Sequence, residues 1–98
     1  MIKVLLADEE KEFNEILGGY LRKEADMSVL GMTSDGLEAL EMVERQKPDV
    51  VVLGSIMPKL DGLGVLERIN QMEKKPKVIM LTNIMCKGHL TITRRTCF

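Results

Sequence analysis

Four short apolar runs divide the chain, and between them hydrophobic residues recur at helical spacing. Ile2 to Ala7 is a run without polar alternation, the pattern of a strand buried on both faces of a parallel sheet. Phe13, Ile16, Leu17, Tyr20 and Leu21 then recur with helical periodicity and predict one apolar face of a first helix. Gly18-Gly19 lies inside that helix and weakens it by roughly 0.5–1 kcal/mol per glycine relative to alanine. Met27 to Met32 predicts a second strand. Ser34 or Asp35 supplies the cap of a second helix with Leu37, Leu40 and Val43 on its apolar face, and Lys47-Pro48 ends it. Asp49 to Leu53 predicts a third strand, and Val65, Leu66 and Ile69 carry a third helix. Pro76 breaks the chain before a fourth strand over Lys77 to Leu81.

Strands alternating with helices of this length predict parallel βαβ units, hence an α/β fold. The tail from Asn83 to Phe98 departs from the rhythm. It has no helical apolar face, Lys87-Gly88 has the composition of a turn, and His89 to Thr93 alternates as a short strand does. Ninety-eight residues without repeat, linker or low-complexity segment make one small domain. A hydrophobic content of 45% and a charged content of 30% suit a globular chain. A net charge of −1 gives no electrostatic case for direct contact with nucleic acid or with an anionic membrane. No apolar run has the length of a membrane-spanning helix, and Met1 leads straight into strand pattern without a signal peptide, so a cytoplasmic location is expected. The spacing of Cys86 and Cys97 fits neither a zinc motif nor a CxxC redox motif, and incidental free thiols are expected.

Candidate chemistry gathers where strands end. Asp8-Glu9 follows the first strand, and Thr82 follows the fourth. The segment D-V-V-V-L-G-S-I-M-P-K-L-D-G runs from Asp49 to Gly62. Ligands of open parallel α/β sheets bind beyond the carboxyl ends of the strands. Each feature also has a plainer explanation: acidic residues at a helix start favour the macrodipole, and Asp61-Gly62 makes a turn. Taken together, Asp8-Glu9, Asp49 to Gly62 and Pro76 to Thr82 resemble the receiver domain of two-component response regulators, over about residues 2 to 83. The segments Ile56 to Leu63 and Pro76 to Thr82 are similar, more narrowly, to the stage 0 sporulation regulator of spore-forming Firmicutes.

The resemblance implies an open parallel sheet of flavodoxin-like type with strand order 2-1-3-4. The fifth strand and last helix of the family are expected to be missing, so that residues 1–82 form a truncated receiver and 83–98 an atypical tail. It implies an Mg²⁺ site built from Asp8, Glu9 and the backbone carbonyl of Ile56, since hard cations take oxygen ligands. It implies a carboxylate nucleophile at position 54, with the Thr82 hydroxyl and a lysine contacting the phosphoryl oxygens while the cation offsets charge. Position 54 is Gly54, so nucleophile and central metal ligand are both lost and Mg²⁺ binding is expected to be weak or absent. The lysine falls beyond the end of the chain, and Lys87 is too close to Thr82 to replace it. Ser55 and Asp61 are the remaining acceptor candidates. Ser55, however, would point to the opposite face of the strand from position 54.

The expected function is that of a phosphorelay receiver related to sporulation control that cannot be phosphorylated at Gly54. Its expected partner is a histidine kinase or a phosphotransfer protein, and it is not expected to be an enzyme. The alternatives are a non-functional truncated or frameshifted fragment, or a metal-dependent phosphotransfer enzyme using Asp8, for which the supporting D-x-D is missing. The short chain is expected to be marginally stable and able to self-associate through an exposed fourth-strand edge, unless His89 to Thr93 folds back over that edge as an antiparallel strand.

Overall fold

The computed structural model describes residues 1–54, 56–86 and 89–97, with side chains as far as Leu81 except at Ser55. Strand β1 (Ile2–Ala7) is followed by helix α1 (Lys11–Arg22), β2 (Met27–Thr33), α2 (Gly36–Gln46), β3 (Val50–Gly54), α3 (Gly62–Asn70), β4 (Lys77–Cys86) and β5 (His89–Cys97). The strands form one sheet in the order β2-β1-β3-β4-β5. The four strands of the α/β part are mutually parallel and keep the expected order 2-1-3-4. The tail forms β5, which pairs antiparallel with β4 from Cys86↔His89 to Ile79↔Cys97. β4 is therefore an interior strand and not the exposed edge expected from the sequence. No helix follows β4 among the described residues. The expected turn at Lys87-Gly88 lies outside the described residues.

Period-two alternation gives the sheet two apolar faces. On one, Leu5, Ala7, Val51, Leu53, Val78 and Met80 pack with Ala39, Leu40 and Val43 of α2 and with Val65, Leu66 and Ile69 of α3 in a single buried cluster. Val4 and Leu6 are buried on the other face, where α1 lies. Two helices turn faces inward that differ from those the apolar periodicity predicts. Ile16 and Tyr20, taken as part of the inward face of α1, are 60% and 67% exposed, while Asn14 and Gly18 are buried. A Cβ on Gly18 would stand 2.2 Å from Cε of Met32, so this glycine lets the helix settle against β2 rather than merely weakening it. Leu37 is likewise exposed; α2 buries Leu40 and Val43 as expected, with Ala39 in the place given to Leu37.

The loop after β3 is tied to the start of α2. Asp35 caps that helix, its Oδ1 accepting from the N–H of Leu37 at 2.8 Å. The Pro58 carbonyl accepts from the Gly36 N–H at 3.3 Å. A Cβ on Gly36 would fall 1.6 Å from the Leu60 carbonyl oxygen, so only glycine permits this approach. Lys59, with φ of 69°, places its Nζ 3.2 Å from Asp35 Oδ2. Partial burial alone would raise the Asp35 carboxyl, but the Lys59 ammonium and the N–H groups of Glu38 and Leu37 hold it below its ordinary value.

Candidate functional site

The register of the central strands builds the site. β1 and β3 run side by side and in phase, Ala7 opposite Leu53, so the next residues of each chain segment, Asp8 and Gly54, meet at the carboxyl edge of the sheet. Gly54 is buried, and a Cβ built on it would lie 2.7 Å from Asp8 Oδ2 and 3.1 Å from its Cγ. Position 54 thus faces the Asp8 carboxylate directly. On its other side Gly54 pairs with Leu81 of β4.

Asp8 is held from three directions. Its N–H donates to the Thr33 carbonyl at 3.1 Å, and its Oδ1 accepts from the Glu10 N–H at 2.9 Å. Asn14, 3% exposed, donates through Nδ2 to the carbonyls of Asp8 at 3.2 Å and Thr33 at 3.0 Å. This one amide ties the ends of β1 and β2 to α1. It escaped the sequence reading, and its one signal there is a polar residue on the inward face of a helix next to a tight glycine. Burial pushes the Asp8 carboxyl up, the Glu10 N–H pulls it down, and the neighbouring Glu9 charge pushes it up again, with a net rise.

The other expected site residues are placed less closely. Glu9 is exposed, and so is the Ile56 side chain. Thr82 was expected just past the end of β4; the strand instead continues to Cys86, and Thr82 pairs with Arg94 where the register shifts. Its side chain, and Ser55 altogether, lie outside the described residues. Asp61 has a structural task as the N-cap of α3, its Oδ1 accepting from the Gly64 N–H at 3.0 Å.

As a cation site the donor set is poor. Asp8 already commits one oxygen to Glu10, Glu9 is solvent-exposed, and Gly54 adds nothing. Among the described residues no three His, Cys, Asp or Glu side chains lie close enough to share a metal ion. For Mg²⁺, which favours near-octahedral oxygen coordination, the described side chains therefore offer the Asp8 carboxylate and the exposed Glu9 and nothing at position 54.

An α/β sheet of order 2-1-3-4 with an acidic residue at the carboxyl end of β1, facing the last residue of β3, defines a receiver-type domain. The chain belongs to the response regulator receiver domain family, which matches residues 4–89. It is 36% identical over 88 residues to a protein-glutamate methylesterase/protein-glutamine glutaminase of Methanospirillum hungatei, covering 90% of this chain and 26% of that protein. Among solved structures it is similar to the response regulator domain of Thermotoga maritima CheB (33% identity, TM-score 0.80, 90% of this chain and 65% of that one). It is also similar to a chain in the CheX–CheY–BeF₃–Mg²⁺ complex from Borrelia burgdorferi (26% identity, TM-score 0.78, 88% of this chain and 65% of that one). The chain therefore spans about a quarter of the curated relative and just under two thirds of these solved chains. No helix among the described residues is long and apolar enough to cross a membrane.

Proposed function

We propose that this receiver domain signals through protein contact alone and accepts no phosphoryl group at position 54. The observation that carries this is the Gly54 geometry: the Cβ direction of that residue points at Asp8 Oδ2 from 2.7 Å, and no side chain fills it. A phosphoryl acceptor there needs a nucleophilic oxygen, and glycine has none. In the same reading Mg²⁺ binds weakly or not at all, since Asp8, Glu9 and the Ile56 carbonyl lack the third carboxylate. The partner in this reading is a histidine kinase or a phosphotransfer protein, which rests on the family; the CheX–CheY complex among the neighbours supports protein contact as such. The link to sporulation control rests on the segments Ile56 to Leu63 and Pro76 to Thr82. The test is intact-protein mass spectrometry after incubation with acetyl phosphate and Mg²⁺. The expected spectrum has no phosphoryl adduct. An acid-stable or hydroxylamine-labile adduct at any residue of the site would overturn the proposal, and its chemistry would tell a hydroxyl acceptor from a carboxyl one.

A further inference from the structure

β4 outruns its parallel neighbours. β3 stops at Gly54, opposite Leu81, and β1 stops one rung earlier at Ala7, opposite Leu53. β4 continues from Thr82 to Cys86, and β5 pairs with that extension from Arg94 back to His89. The two strands form an arm that passes the carboxyl edge of the sheet by roughly 15 Å, at about 3.3 Å per residue.

As far as Leu81, β4 has a strand on each side. From Thr82 onward its β3 side is open: among the described residues no strand pairs with it there. An edge of unpaired N–H and C=O groups takes another strand as its ligand. The shape around the edge says which strand. The space beside the arm lies beyond the ends of β3 and β1 and is two strands wide, as is the arm itself. A two-fold axis normal to the sheet can pair the β4 extension antiparallel with its own copy. The sheet order β1-β3-β4-β5 then puts the partner's β4 in line with β3 and the partner's β5 in line with β1. Sheet twist is satisfied too, because β3 and the partner's β4 follow β4 on the same side. Asn83 opposite the partner's Cys86, and Ile84 opposite the partner's Met85, leave the rung of Thr82 clear for the chain that departs from β3 after Gly54.

Charge favours the same occupant. In this arrangement the end of the partner's arm, where its β5 opens at the partner's His89, comes to Asp8, Glu9 and Glu10 beyond β1. Glu9, Glu10 and Glu12 are exposed, with Lys11 the one cation among them. From Asn83 to Phe98 the chain carries Lys87, Arg94 and Arg95 and no Asp or Glu. An acid-free arm therefore meets an acidic rim, and the two-fold axis makes the contact twice.

We infer that the chain forms an isologous dimer through this arm, with a β5-β4-β4-β5 antiparallel junction that joins the two sheets into one. A two-fold contact requires a self-complementary patch, and an open strand edge beside a gap of the arm's own width supplies one.

Sedimentation velocity on the full chain from micromolar to millimolar concentration tests it. The expected result is a reversible monomer–dimer equilibrium that weakens as salt is added. Ile84→Lys with Met85→Lys, and Ile84→Glu with Met85→Glu, each set like charges directly opposite across the axis. Each pair of changes raises the dissociation constant on the order of tenfold or more, and an equimolar mixture of the two variants restores the dimer, since every charge then faces its opposite. Hydrogen exchange on the wild-type chain gives a reading that needs no variant. Alternate residues of an antiparallel ladder point their N–H groups to opposite sides. Alternate amides from Asn83 to Cys86 therefore lose protection on dilution, while those bonded to β5 keep it. A monomer at every concentration, a mixture that stays monomeric, or protection across Asn83 to Cys86 that ignores dilution would overturn the proposal. So would a dimer indifferent to both variants, which would point to the outer edges of β5 or β2.

Discussion

Gly54→Asp places a second carboxylate against Asp8, and its cost follows from the geometry. The new Cβ would start 2.7 Å from Asp8 Oδ2, so the Asp8 side chain must rotate and the two carboxylates settle about 4 Å apart. Two unit charges at that distance repel by about 1 kcal/mol in water and about 4 kcal/mol at an effective dielectric of about 20. Asp8 is half-buried, so a loss of about 1–3 kcal/mol is expected at neutral pH without divalent cation. Replacing a strand glycine works in the opposite direction by roughly 0.5–1 kcal/mol, and Gly54→Asn is the control that cancels it along with the steric effect. Urea unfolding reads the difference. With a slope of about 1–3 kcal/mol per molar, the midpoint of Gly54→Asp falls below that of Gly54→Asn by roughly 0.5–2 M. The sign of the pH dependence is fixed. Repulsion raises the folded-state pKa of the pair above the unfolded value, so the gap between the variants closes as pH falls below the ordinary carboxylate range and opens as pH rises through the folded pKa. Mg²⁺ binds only the folded pair and closes the gap at neutral pH, while leaving Gly54→Asn unmoved. Equal midpoints for the two variants at neutral pH without Mg²⁺ would refute the claim that position 54 faces Asp8.

Two further predictions concern the loop that frames the site. Gly36→Ala forces a Cβ to within 1.6 Å of the Leu60 carbonyl oxygen, backbone that cannot yield as a flexible side chain would, and should cost at least about 1–3 kcal/mol in urea unfolding. Asp35→Asn keeps a capping oxygen but removes the charge facing Lys59. Because the Asp35 carboxyl is held below its ordinary value, the wild-type advantage is present at neutral pH and is lost as pH falls through the lowered folded pKa. An advantage that persisted unchanged into strong acid would contradict it.

The strand–helix alternation was legible because both faces of the sheet are apolar, which gives runs rather than alternation. β1 was read with its observed ends, Ile2 and Ala7. β3 was read one residue early, because Asp49 stands outside the strand as a clamp. Its N–H donates to the Lys3 carbonyl at 2.8 Å, its carbonyl accepts from the Lys77 N–H at 3.0 Å, and its Oδ2 accepts from the Lys3 N–H at 2.8 Å. The face of α1 was misread for a different reason. Apolar periodicity credits large side chains with burial, whereas the contact with β2 needs the absence of one at Gly18 and an amide at Asn14. The meeting of Asp8 and Gly54 was foreseen through the strand order, which the sequence alone does not dictate and the family resemblance supplied. The length of β4 was not foreseen, because residues 82–86 are held by pairing with β5, a non-local partner that no local pattern encodes. β5 itself was visible only as a weak alternation from His89 to Thr93.

The most direct test of the central claim is an amide ¹H–¹⁵N titration of the wild-type chain with beryllofluoride and Mg²⁺. Beryllofluoride mimics a phosphoryl group when an oxygen ligand, in a receiver the acceptor carboxylate, completes its tetrahedral coordination. The account predicts that the amides of Asp8, Glu9, Gly54 and Leu81 keep their positions throughout. Saturable shifts confined to those residues would show that the site captures a phosphoryl mimic without a side chain at position 54, and would contradict it.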